Sequence, residues 1–279
     1  MPRCLIVSNR LPFAFNSELK MFTPSSGGLV SALKGLDEKK IGVSFEWMGL
    51  LTDEVDQNQL MTLQESPFRC HPVWVRKQTY EQYYNSYCNN VLWPLFHYER
   101  NMVRHTQAGW NAYQEINQAV SSAILQEIKD DELIWIHDFH LMLVPGMIKK
   151  QRPNIKIGFF LHIPFPSSEI FRELPQRSEI LNSLLECDQI GLHDLSYLNH
   201  LKNSAQRILG RLPSIERNWG VYPISIDGEH FKKLKDGEFK HKIPFPNLSQ
   251  TILSQINNYL DSSNLSINEP YLSSLFFLR

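Results

Sequence analysis

Three polar clusters in this chain are of the residue types that bind or transform a polar ligand. His162-Ile163-Pro164-Phe165-Pro166-Ser167-Ser168-Glu169 follows the apolar run Ile157-Gly158-Phe159-Phe160-Leu161. His137-Asp138-Phe139-His140 follows Leu133-Ile134-Trp135-Ile136, and Ser8-Asn9-Arg10-Leu11-Pro12 closes an apolar segment at residues 4–7. Each apolar run has the length and character of a strand buried on both faces. Ligands of open α/β sheets bind outside the carboxyl ends of such strands, which is where these polar residues fall.

The chemistry open to them is recognition of an anionic, hydroxylated ligand. The Arg10 guanidinium matches phosphate oxygens two at a time and stays charged at neutral pH. Ser25-Ser26-Gly27-Gly28-Leu29 opens a helical pattern, and glycines at a helix start let backbone N–H groups approach a phosphate or sugar hydroxyl. The same residues also fit an ordinary loop glycine pair and a surface arginine. Between residues 82 and 98 lies an aromatic tract with Tyr83, Tyr84, Tyr87, Trp93, Phe96, His97 and Tyr98. Rings of this kind stack on sugar faces or fill a core. His137, Asp138, His140 and His162 are competent metal ligands, but their spacing carries no metal-site signature and no metal is expected. Asp138 suits a substrate hydroxyl or a helix cap.

The elements that must position these groups alternate. Strands are predicted at residues 4–7, 43–47, 60–63, 133–136, 157–161, 189–192 and 220–224. Helices are predicted at 27–36, 80–88, 112–128, 141–150, 179–186 and 195–209, with a short helical turn at 228–234. This order predicts a doubly wound, mostly parallel α/β sheet with right-handed crossovers. From residue 235 the composition turns to Lys-Asp-Gly, Pro244-Phe245-Pro246 and many Ser and Asn, with one helix expected near 248–260. The expected organisation is therefore one α/β domain over 1–234 and an extension over 235–279.

Bulk properties narrow the class. The 279 residues are 42% hydrophobic and 20% charged, with 28 Lys plus Arg against 29 Asp plus Glu. A net charge of -1 supplies no cationic field for nucleic acid or anionic lipid. Cys4, Cys70, Cys88 and Cys187 lie far apart, without a Cys-x-x-Cys pair, which argues against a zinc ribbon or a disulfide scaffold. With no secretory segment and no apolar run of about 18 residues, a reduced, cytoplasmic setting is the expectation. Neither a Gly-x-x-x-x-Gly-Lys-Ser/Thr loop nor a Gly-x-Gly-x-x-Gly turn is present.

Taken in order, the motifs resemble those of the trehalose-6-phosphate synthase family of retaining glucosyltransferases. The resemblance rests on residues 7–12, 26–33, Tyr83-Tyr84-Asn85, 92–98, 135–141, 157–172, 174–175, Arg177, 179–181, 191–193 and 223–227, and spans about residues 3–234. It implies the Rossmann-like amino-terminal half of a two-domain GT-B-type fold. It further implies transfer of glucose from a nucleotide sugar, UDP-glucose by expectation, to glucose 6-phosphate, giving trehalose 6-phosphate with no cofactor. Carried over by motif, Arg10, Tyr84 and Trp93 hold the acceptor phosphate and sugar, and Asp138 binds acceptor hydroxyls. Gly28 lies by the donor phosphates, and His162 contacts the donor glucose near the reacting carbon. Asp138 and His162 are thus the residues closest to the chemistry. The implied mechanism retains configuration by a front-face route without a covalent intermediate, with the departing phosphate oxygen activating the acceptor.

The chain also departs from the family pattern. Ser225 stands in a glycine position, Gly191-Leu192-His193-Asp194 differs from the usual sequence there, and residues 210–220 are short. No second donor-binding domain is recognisable in residues 235–279. The expectation is weak or absent turnover by this chain alone, with a separate donor-binding subunit or a homo-oligomer as candidate partner. The alternative is a noncatalytic sugar-phosphate-binding or regulatory subunit of a complete synthase.

Overall fold

The computed structural model describes residues 2–25, 29–30, 42–64, 69–129, 132–212 and 218–223. The helical readings at 228–234 and 248–260 lie outside the described residues, as does nearly all of the one at 27–36. Every element below falls in the larger of two units into which the chain divides, the one over Met1–Tyr222.

The described residues form a seven-stranded parallel sheet in the order β5-β4-β1-β6-β7-β8-β9. The strands are β1 (Arg3–Arg10), β4 (Ser44–Leu51), β5 (Arg69–Trp74), β6 (Leu133–His137), β7 (Lys156–Phe160), β8 (Gln189–Leu192) and β9 (Asn218–Val221). Two further strands, β2 (Phe13–Asn16) and β3 (Met21–Pro24), pair as an antiparallel hairpin. β1 is buried from Cys4 to Asn9 because helices cover both faces of a parallel sheet. The chain starts in the centre, builds outward through β4 and β5, then returns to build the other side from β6. The strand order therefore reverses between β1 and β6, the kind of switch point at which open α/β sheets bind ligands.

Around the sheet stand α1 (Gln57–Gln64), α2 (Lys77–Glu81), a π-helical segment (Gln82–Leu92) running into α3 (Trp93–Phe96), and α4 (Gln107–Glu127). They are followed by α5 (Val144–Gln151), α6 (Ser168–Phe171), α7 (Arg177–Leu184) and α8 (Leu195–Leu209). Thr106 caps α4 by accepting from the Gly109 N–H, and Asp194 caps α8 through the Ser196 N–H. Gly210, at φ 69°, ends α8 in the left-handed conformation. One core joins Leu5, Val7, Ile136 and Phe159 of the strands to Tyr83, Tyr87, Tyr113 and Ile116 of the helices.

The strand predicted at 60–63 is instead helix α1. Asp56 and Gln59 form a reciprocal capping box, with Gln59 N donating to Asp56 Oδ1 at 2.9 Å and Asp56 N to Gln59 Oε1 at 2.8 Å. Leu60 and Leu63, three apart, then share a helix face, with Leu63 buried and Met61 exposed. Strand β5 and the β2–β3 hairpin have no counterpart in the sequence reading. β5 carries Pro72, which an edge strand tolerates.

Candidate functional site

The site starts from a β-bulge. Val7 pairs with Met48 but Arg10 with Leu50, so three steps along β1 match two along β4, and the extra residue re-aims the strand end. The Trp47 indole N–H donates to Ser8 Oγ at 2.8 Å and to the Arg10 carbonyl at 3.1 Å, and Ser8 Oγ donates to that same carbonyl at 2.7 Å. Gly49 makes room for the bend. A Cβ there would lie 2.7 Å from both the Arg10 carbonyl carbon and the Leu11 nitrogen.

Arg10 thus emerges exposed at the carboxyl end of β1. Among the described residues it has no carboxylate partner. Instead, its Nη2 donates to the Tyr84 hydroxyl at 3.1 Å, and its guanidinium carbon lies 5.5 Å from the Tyr84 ring centre. Tyr80 and His140 each stack on Tyr84, at 5.6 and 5.8 Å and each within 7° of parallel. The neighbouring Tyr83 has the opposite role. It is fully buried, and its hydroxyl donates to Asn9 Oδ1 at 3.0 Å, tying the helical segment to the end of β1.

Across the switch point, β6 ends at His137, and Asp138 follows with φ 75° and ψ 167°. That region is almost exclusive to glycine, so Asp138 is a strained residue at a strand end. Its side chain makes no helix-capping bond to the 3-10 turn Phe139–Leu141. The turn is clamped from α4. Tyr113 Oη donates to the Phe139 carbonyl at 2.8 Å and accepts from Met142 N at 3.1 Å, while Asn117 Nδ2 donates to the His140 carbonyl at 3.1 Å. Asp138 N donates to the Phe160 carbonyl at 2.7 Å, and His162 N donates to Asp138 Oδ1 at 3.3 Å, which joins the ends of β6 and β7.

Burial sets the electrostatics here. It pushes the Asp138 carboxyl up to about 6, although the backbone N–H groups of Phe139 and His162 pull the other way. Burial also drives His140 down to about 3, assisted by the positive charge of Arg10 and by His162. His162 falls to about 3 through burial and the neighbouring His193. At neutral pH the surface is therefore one fixed cation, one carboxylate and a set of neutral imidazoles. Among the described residues no group of three or more His, Cys, Asp or Glu is arranged to hold a metal ion.

Arg10, Tyr84, Asp138 and His162 are joined through shared contacts with His140 and with one another. Trp93 stands at the edge of this group, 46% exposed, with its ring 4.1 Å from His97 and 5.9 Å from Phe139. Gly28 lies outside the described residues. Sequence reasoning placed Asn9 and His140 in the strand-end clusters but missed the supporting frame of Tyr80, Tyr113 and Asn117.

The model of glycosyltransferase family 20 matches residues 2–247. The UDP-forming alpha,alpha-trehalose-phosphate synthase of Emericella nidulans is 40% identical over 250 residues, covering 83% of this chain and 49% of that protein. Synthase A of Dictyostelium discoideum is 40% identical over 256 residues, covering 86% of this chain and 34% of that protein. The chain thus spans about half the length, or less, of these relatives. Among solved structures, the E. coli trehalose-6-phosphate protein bound with UDP-2-fluoro glucose superposes with a TM-score of 0.68 at 26% identity, over 93% of this chain and 54% of that one. The N-terminal domain of Candida albicans trehalose-6-phosphate phosphatase superposes with a TM-score of 0.70 at 27% identity, over 94% of this chain and 55% of that one.

Proposed function

The chain belongs to glycosyltransferase family 20, and from that premise we propose that its strand-end site holds glucose 6-phosphate as acceptor for a glucosyl group from UDP-glucose, the product being trehalose 6-phosphate. The observation that carries this reading is Arg10: an exposed guanidinium at the switch point, oriented by Tyr84 and lacking a carboxylate partner among the described residues. Such a group offers paired donors to a phosphate. Residues 1–234 form the acceptor-holding domain in this reading, with 235–279 an extension.

Each residue then has a physical task. Arg10 and the Tyr84 hydroxyl take the phosphate, and the exposed face of Trp93 packs on the sugar. The Asp138 carboxylate accepts from acceptor hydroxyls. His162, two residues past Phe160 at the Asp138-bonded strand end, contacts the donor glucose. Gly28 belongs by the donor phosphates. Positive charge builds on the transferred sugar while the leaving diphosphate gains negative charge, so preorganised dipoles and exclusion of water lower the barrier. The departing phosphate oxygen accepts the acceptor proton, and retention follows from attack on the face it leaves.

A second reading, a noncatalytic sugar-phosphate-binding or regulatory subunit, draws support from the likeness to the N-terminal domain of a phosphatase. Calorimetric titration of the 279-residue chain with glucose 6-phosphate tests the shared element of both. Saturable binding is expected, weakened at least tenfold in R10A, since hydrogen bonds to a charged group are worth about 1.5–3 kcal/mol. Unchanged binding in R10A, or none by the folded chain, overturns the acceptor pocket. Trehalose 6-phosphate formation from added UDP-glucose then separates synthase from binding subunit.

A further inference from the structure

His137 ends β6 with its ring buried, 4.6 Å from the Trp135 ring centre and 5.2 Å from that of His162. Its Nδ1 lies 3.0 Å from His162 Nε2, whereas its own Nε2 is buried with no hydrogen-bond partner among the described residues. Burial drives its pKa well below the ordinary histidine value, as it does that of His162, so each ring carries a single proton.

Two neutral imidazoles in contact through one nitrogen each form a hydrogen bond only when one donates and the other accepts. If His162 donated from Nε2, the His137 proton would sit on the orphaned Nε2, leaving a buried N–H with nothing to receive it. If His137 donates from Nδ1, the orphan is a bare lone pair. Buried N–H groups without an acceptor are rarer than under-satisfied acceptors, so the second arrangement wins. His162 then accepts at Nε2 and must carry its own proton on Nδ1, which makes no hydrogen bond with any described residue but, in a side chain only partly buried, is not among the buried polar atoms left without a partner.

We propose that His137 is a positioning residue that holds His162 in the Nδ1–H tautomer, so that His162 meets the donor sugar as a hydrogen-bond donor to an oxygen and has no free lone pair with which to act as a base. Only the clause about the sugar rests on the function proposed above; the tautomer follows from the contact itself. A donor at this point stabilises charge on an oxygen without taking part in proton transfer. Sequence alone places His137 at a strand end but does not reveal that the neighbouring strand brings a second imidazole to its Nδ1.

Long-range 1H–15N correlation spectra of the 15N-histidine-labelled chain at pH 7.5 report each ring's tautomer directly. His137 and His162 are both expected as Nδ1–H. In H137F the donor is gone, and the His162 ratio should move about fivefold or more toward Nε2–H, as loss of one hydrogen bond of ordinary net strength implies. H137N, whose amide N–H sits near the position of the imidazole Nδ1, should restore the original state. A His162 protonated on Nε2 in the unmodified chain overturns the proposal, and that spectrum decides even if H137F does not fold. An unmoved ratio in folded H137F overturns it as well. Failure of the glucose 6-phosphate titration would instead sink the sugar reading and leave the tautomer standing.

Discussion

Asp138 is where the proposed function conflicts most with stability, and the conflict has a calculable size. In the folded chain burial raises its carboxyl from 3.8 to about 6. Below pH 3.8 the group is neutral in both folded and unfolded chains and costs nothing. Between pH 3.8 and 6 the folded chain keeps a proton that the unfolded chain releases, so this contribution to stability declines as pH rises. Above pH 6 both states are ionised and the penalty is complete. At 1.36 kcal/mol for each tenfold change in proton affinity, the gap corresponds to about 3 kcal/mol against the folded state at neutral pH.

D138N removes the charge while keeping an oxygen to accept from the His162 N–H. Denaturant unfolding should therefore find D138N within about 1 kcal/mol of the parent at pH 4 and about 3 kcal/mol more stable at pH 7.5. Glucose 6-phosphate affinity should move the other way, falling tenfold or more, because a neutral amide oxygen replaces a carboxylate as hydroxyl acceptor. In the parent, affinity should also decline as pH drops through about 6 and Asp138 gains its proton, more steeply than in D138N, where only the ligand's own phosphate, with a second pKa of about 6, titrates over that range. Equal stabilities at pH 7.5 would refute the reasoning. So would a stability gap of the same size at both pH values, which would assign the effect to packing instead of to a desolvated charge.

Other positions give independent checks. Y113F strips the turn Phe139–Leu141 of a donor to Phe139 and an acceptor for Met142, and thermal unfolding should show a loss of about 1–3 kcal/mol; an unchanged midpoint would mean the clamp is idle. G49A forces a methyl group against the backbone of Arg10 and Leu11, which should cost about 1–3 kcal/mol and lower glucose 6-phosphate affinity through the displaced guanidinium. Native affinity in G49A would show that the bulge does not aim Arg10. R3A breaks the partly buried network in which Arg3 bonds Glu46 at 2.7 Å and Glu132 at 2.6 Å, at a cost of about 3 kcal/mol. Burial acts to raise the Glu46 carboxyl, but hydrogen bonds from His71 and Arg3 prevail and hold it below 4.5. Its contribution is present above pH 4.5 and lost as pH falls through the lower folded value, so R3A should flatten the acid limb of the stability curve. An acid limb as steep as the parent's would place the titrating groups elsewhere.

The central strands were legible because burial on both faces leaves an unbroken apolar run that needs no partner to be recognised. β8 matches its predicted bounds at Gln189–Leu192, and α8 likewise at Leu195–Leu209, where Asp194 and Gly210 mark both ends chemically. What escaped depends on partners distant in sequence. The bulge at the end of β1 exists only relative to β4, and β5 hides its strand character behind Pro72 because only its place at the sheet edge makes proline harmless. The π-helical segment escaped for a different reason. Buried pairs at Tyr87-Cys88 and Val91-Leu92 recur every four residues, a spacing that reads as an ordinary α-helix.

Asp138 shows why the polar residues at strand ends were easier to find than to interpret. Its type and place announce a ligand contact, but its backbone strain of about 1–3 kcal/mol and its raised carboxyl pKa arise only once Tyr113 and Asn117 fix the following turn and β7 closes over it. A residue serving stability alone would not be ionised, largely withdrawn from water and held at φ 75° together. Asn or Gly would relieve the strain or the charge at that position. Three hydrogen bonds shared with α4 hold the turn in place with a carboxylate at its start, an arrangement that fits the proposed acceptance of a ligand hydroxyl beside the Arg10 guanidinium.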